Sequence, residues 1–137
     1  MSKVQALDEE YEYEDKVIIS QTDLKGVITY VNQAFCETSW YSADEVIGKE
    51  HNIVRHPDMP KAVFEKMWSS IQSGRAWNGL VKNLRKDGQY YWVDLEILPI
   101  KDDDNIVIGY ISAGKPASKK DVDENAAMYQ KMLSSEG

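Results

Sequence analysis

Trp77-Asn78-Gly79-Leu80-Val81-Lys82-Asn83-Leu84-Arg85-Lys86-Asp87-Gly88-Gln89-Tyr90-Tyr91-Trp92-Val93-Asp94-Leu95-Glu96-Ile97 is the stretch on which the fold turns. Two runs rich in aromatic and β-branched residues flank Asp87-Gly88, the dipeptide that supplies the positive φ angles of a tight hairpin. The stretch therefore predicts two long antiparallel strands, Trp77 to Lys86 and Gln89 to Ile100, and Ile106 to Ala113 reads as a third beyond the polar turn Asp102-Asp103-Asp104-Asn105. Strand alternation places Trp77, Gly79, Val81 and Asn83 on one face and Asn78, Leu80, Lys82 and Leu84 on the other. The first set is assigned inward, together with Tyr91, Val93, Leu95 and Ile97 of the next strand and Ile111 of the last.

Working outward, Val17 to Thr22 and Val27 to Val31 form a second hairpin around Asp23-Leu24-Lys25-Gly26. Asn32 is placed to cap a short helix through Ala34, Phe35 and Cys36, and Ser42 with Glu45 makes a capping box for another. Lys49 to Asp58 reads as an irregular segment. Asp58 as cap, Pro60 near the first turn and Gly74 beyond the end bracket a helix with Val63, Phe64, Met67, Trp68 and Ile71 at helical spacing. A tail from Ser118 carries Val122, Ala126, Tyr129 and Leu133 at the same period, as a helix leaving the domain would. Residues 1–15 are read as an N-terminal cap or flexible segment outside the core, 16–115 as the domain, and 116–137 as a linker helix or tail. The fold class is α+β, an antiparallel sheet covered on one face by short helices.

Composition limits the function classes. With 137 residues, 42% hydrophobic and 28% charged, the chain suits one globular domain. Cys36 is the only cysteine, so neither a disulfide framework nor a cysteine zinc site is available. The net charge of -7, without a broad Lys/Arg cluster, argues against nucleic acid. No apolar run approaches the roughly 20 residues of a membrane span, and Met1-Ser2-Lys3 leads into acidic sequence, so a cytoplasmic protein without direct membrane insertion is expected. No nucleophile with a paired base and no phosphate-cradling glycine loop points to an enzyme.

Over residues 17 to 114 the chain resembles the PAS domain family. Asp23-Leu24-Lys25-Gly26-Val27-Ile28-Thr29-Tyr30-Val31-Asn32-Gln33-Ala34-Phe35 looks like the PAS opening, and Arg85-Lys86-Asp87-Gly88 with Tyr91-Trp92 like its late hairpin. The segment His51-Asn52-Ile53-Val54-Arg55-His56-Pro57-Asp58-Met59-Pro60, followed by Trp77 to Asn83, is similar to the FAD-binding PAS domains of aerotaxis receptors. The resemblance implies a five-stranded antiparallel sheet and a non-covalent FAD, with FMN or haem as alternatives. It also implies relay of redox state to a chemoreceptor signalling module, in cis or as a separate membrane-bound partner, and a homodimer. The competing classes are a cofactor-free PAS module for dimerisation and a sensor for a histidine kinase or diguanylate cyclase. Light-sensing relatives require a cysteine in the central loop, where residues Lys49 to Met59 have none, and carry Gln where Ile111 stands. Ser112 to Pro116 also lacks the basic run expected of aerotaxis relatives.

The candidate binding residues follow from both lines. A buried Asn83 needs partners for its carbonyl and its NH₂, which a flavin edge, a neighbouring loop or a buried water would each satisfy. Trp77 offers either ring contact or core packing, with Gly79 leaving room beside it. Val81, Tyr91, Val93 and Ile111 are pocket walls or plain core. Arg55, His56 and Lys61 supply positive charge for a pyrophosphate, with Asp58 either shaping that loop by pairing with Arg55 or capping the helix. His51, Asn52 and Trp68 complete the set, His51 and His56 being also the only imidazoles that haem iron would find.

Overall fold

The computed structural model describes residues 4–136; Met1, Ser2 and Lys3 of the N-terminal segment and Gly137 of the C-terminal one lie outside the described residues. Strands β1 (Ile18–Thr22) and β2 (Ile28–Val31) lead into helices α1 (Gln33–Ser39) and α2 (Ala43–Val46) and a 3-10 turn, His51–Val54. Helix α3 (Lys61–Gln72) then precedes β3 (Trp77–Leu84), β4 (Tyr90–Lys101) and β5 (Val107–Pro116), and α4 (Lys119–Glu136) ends the chain. The five strands form one antiparallel sheet in the order β2-β1-β5-β4-β3. The last strand thus closes the sheet between the first and the fourth.

Local chemistry explains the boundaries. In the first hairpin the Asp23 carboxylate accepts from the amides of Lys25 and Val27, and Gly26 takes the positive φ of 84° that the turn requires. Asn32 does two jobs at the start of α1: its Oδ1 accepts from the Phe35 amide and from the Ile19 amide of β1. Ser42 and Glu45 form the reciprocal capping box that starts α2.

Two expectations about the ends are corrected. The N-terminal segment is not outside the core: Leu7 and Tyr11 donate to the carbonyls of Gly88 and Tyr90, continuing the sheet where β5 has ended, and Tyr13 is buried against Tyr91. Nor does the last helix leave the domain. Tyr129 of α4 is buried, stacks on Trp92 and donates its hydroxyl to the Leu80 carbonyl at 2.6 Å. At its far end Glu136 reaches the start of α3, where its carboxylate accepts from the amides of Lys61 and Ala62. Pro60, not Asp58, occupies the cap position of α3 and offers no side-chain acceptor, so a residue 75 positions away does that work.

Candidate functional site

Between the sheet and the helices the inner face leaves a cavity of about 320 Å³, within the size range of small-ligand sites. One wall is apolar: Val81 of β3, Val93, Leu95 and Ile97 of β4, and Met67 and Ile71 of α3. The opposite wall comes from β1 and the turn that faces it, and there Ser20, Thr22, Lys25, His51 and Asn52 bring polar groups. Asn83 stands between the two, beside the Arg55 segment with which its backbone pairs.

Seven of the residues singled out from the sequence meet at this cavity: Asn83, Arg55, His51, Asn52, Trp68, Val81 and Val93. Arg55 holds its guanidinium 3.8 Å from the Phe64 ring centroid, a cation over an aromatic face. Asp58 therefore does not pair with it; that carboxylate takes Lys82 at 3.1 Å instead. His51 places Nε2 2.9 Å from the Ser20 hydroxyl and meets Phe35 edge-on. Burial, helped by the charge of Arg55, holds its imidazole below the usual histidine range.

Six others are placed elsewhere, each for a visible reason. Arg55 is in extended conformation, so the next side chain points the opposite way. His56 accordingly turns from the cavity into a buried site beside Tyr90, where its Nδ1 accepts from the Asp58 amide. Burial, and then Lys82, lower its proton affinity, with Asp58 opposing. Asp58 itself is exposed at the surface. Trp77 and Gly79 share the inward parity, but the indole folds back over the glycine, so a Cβ there would stand 2.6 Å from the ring; the room beside Gly79 is already taken. Trp77 packs with Leu95, Ile97 and Met67 behind the cavity wall. Tyr91, opposite Asn83 in the register, is fully buried and does not line the cavity. Burial drives its phenol well above the ordinary range, against a side-chain hydrogen bond with Asn83. Ile111 faces the other side of the sheet: Ser112 is paired with Ile97 and Gly114 with Leu95, which puts Tyr110 and Ser112, not Ile111, on the cavity wall.

The β1 wall went unread in the sequence, although Ile18, Ser20 and Thr22 alternate as an inward-facing set. The signal was present, but its sense depends on the pairing of β1 with β5. Past Arg55, Phe64 and Trp68 the cavity adjoins an open cleft along α3, lined also by Lys61, Ser69 and Gln72. A planar heteroaromatic ring suits the inner space: an apolar wall for one face, hydroxyls, an imidazole and the Asn83 amide for its polar groups, and Arg55 at the mouth. Among the described residues no three His, Cys, Asp or Glu side chains converge as a metal ion would require, and no helix is long and apolar enough to cross a membrane.

The aerotaxis receptor of Escherichia coli (strain K12) is 39% identical over 117 residues, 85% of this chain but 23% of the receptor. A nitrogen fixation regulatory protein of Klebsiella pneumoniae is 32% identical over 84 residues, 61% of this chain and 17% of that protein. The chain thus spans less than a quarter of either relative. The light-state structure of the blue-light photoreceptor Aureochrome1 LOV superimposes with a TM-score of 0.70 at 18% identity, covering 85% of this chain and 91% of that one, a likeness of fold. The PAS fold family matches residues 28–113, and this chain, with its β2-β1-β5-β4-β3 sheet, belongs to that family of sensory domains.

Proposed function

We propose that the domain binds FAD and reports the flavin's redox state to a chemoreceptor signalling module, as an aerotaxis sensor in the cytoplasm. The observation that carries this reading is the cavity itself, an apolar slot with Asn83 at its edge and Arg55 at its mouth. The slot would hold the isoalloxazine, with the Asn83 amide, which also bonds Tyr91, available to hydrogen-bond its polar edge. Arg55 would hold the pyrophosphate, and the α3 cleft, lined by Lys61, Glu65 and Ser69, would take the adenosine end. A protein of net charge -7 needs local cations at that point. The similarity to an aerotaxis receptor supports the output, delivered to a further segment or to a separate membrane-bound partner.

The flavin supplies reversible electron transfer; the chain holds it, keeps water from its faces and registers its charge. Purified protein incubated with FAD and freed of excess should show oxidised-flavin absorption near about 450 nm. Asn83→Ala should weaken FAD uptake by about tenfold, the effect of losing one well-made hydrogen bond. A Soret band in place of the flavin bands, or no chromophore at all, would sink the reading.

A further inference from the structure

Ser20 and His51, both on the cavity lining, are joined side chain to side chain at 2.9 Å. Ser20 is 2% exposed on β1, and the imidazole is fixed edge-on against Phe35 with centroids 6.1 Å apart. In the Nδ1–H tautomer of a neutral ring, Nε2 is an acceptor and the Ser20 hydroxyl donates to it.

The ring is neutral at neutral pH, held so by burial and secondly by Arg55. The charged groups that face it around the cavity are Lys25 from the first hairpin turn and Glu50 and Arg55 from its own segment. From α1 it meets Phe35, from β1 Ser20, while β3, β4, β5 and α3 bring no charged side chain to the lining. A neutral imidazole thus shares a largely apolar enclosure with whatever the cavity holds, and it is the group there most responsive to a change of charge.

Resting on the flavin reading, we propose that the Ser20–His51 pair is the proton-coupled element of the site: negative charge arriving in the cavity draws a solvent proton onto His51 Nε2. Two electrons from a reductant such as dithionite, with one proton, leave a reduced isoalloxazine carrying one negative charge. The second proton forms the Nε2–H bond, and the net charge of the site is unchanged. An acceptor becomes a donor, so the Ser20 hydroxyl must rotate to accept. Ser20 lies in β1 between Val31 of β2 and Ser112 of β5, and that rotation changes a contact at the centre of the first three strands.

The test is a potentiometric titration of the FAD-reconstituted protein with dithionite at a series of pH values above neutrality. Wild type should take up two protons per two electrons, and His51→Gln, which still accepts from Ser20 but does not titrate, one proton per two electrons. Nitrogen-15 spectra of the wild-type imidazole should show a neutral Nδ1–H ring with oxidised flavin and both nitrogens protonated with reduced flavin. Equal proton uptake in the two proteins, or a ring neutral in both redox states, overturns the proposal and leaves the flavin reading standing. Failure of the wild type to take up FAD overturns both. Should His51→Gln lose the flavin, the wild-type spectra decide alone.

Discussion

The two faces of the sheet solve the same burial problem in opposite ways. On the outer face Leu80 and Trp92 are closed off by Tyr129 of α4, with ring stacking and a hydrogen bond to a strand carbonyl. On the inner face, Val81 and Val93, one residue along from Leu80 and Trp92, look into a cavity that the protein's own side chains leave partly unfilled. A fold that filled both faces would gain contacts. The difference leaves space on the inner face, which the flavin reading fills with a guest, and puts on the outer face a cover that reaches another element of the chain. Glu136 makes that reach explicit, because it ties α4 to the start of α3, a helix that lines the cavity.

The sharpest way to break the contrast is to open the inner face where it is solid. Tyr91 is 1% exposed between Tyr13 and Asn83, and Tyr91→Ala should cost about 3–5 kcal/mol in denaturant unfolding, as large buried aromatics do. A loss below about 1 kcal/mol would mean that the inner core is as loose as the cavity beside it.

The outer face yields a smaller number. Tyr129→Phe keeps the stacking on Trp92 and removes only the hydrogen bond to Leu80, so a loss of about 0.5–1.5 kcal/mol is expected, with FAD uptake unchanged. A change in FAD affinity would show that the two faces are coupled through β3 more strongly than the geometry implies.

What the sequence revealed divides along the same line. Strands and caps were legible because their causes are local: Asp87-Gly88 makes its turn, Asn32 and Ser42 cap the residues just ahead of them. The apolar cavity wall was legible too, because Val81 and Asn83 share a parity fixed by their own strand. Parity across strands was not. Ile111 was assigned inward, yet the bulge at Ile100/Lys101 and the pairing of Ile97 with Ser112 set the opposite sense. The same dependence hid Ser20 and Thr22, whose direction is fixed by β5, the last strand of the chain. Asp58 seemed the natural cap of α3, and no local signal could reveal that Glu136 reaches it from the far end. Trp77 was read as ring contact or core packing with Gly79 leaving room beside it, whereas the indole itself fills that room.

The smallest expected effect separates the histidines of the two environments by pH. His51 on the cavity wall and His56 beneath the loop both bind protons less readily folded than unfolded, mainly through burial. The unfolded chain therefore takes up protons first, and stability that is complete above about pH 6.5, the ordinary histidine value, declines as pH falls below it. The ion-paired carboxylate of Asp87, held below its usual range by Arg85, acts in the same direction only at lower pH, so the interval just under neutrality belongs to the imidazoles. Thermal unfolding of the FAD-free protein should show a midpoint that drops from pH 7 towards pH 5.5. His51→Gln and His56→Gln should each flatten that drop in part, and the double variant should flatten it most. If His51→Gln leaves the slope untouched while His56→Gln removes it, the cavity wall is wet enough to solvate an imidazolium, and the contrast between an apolar slot and a packed outer face loses its physical basis.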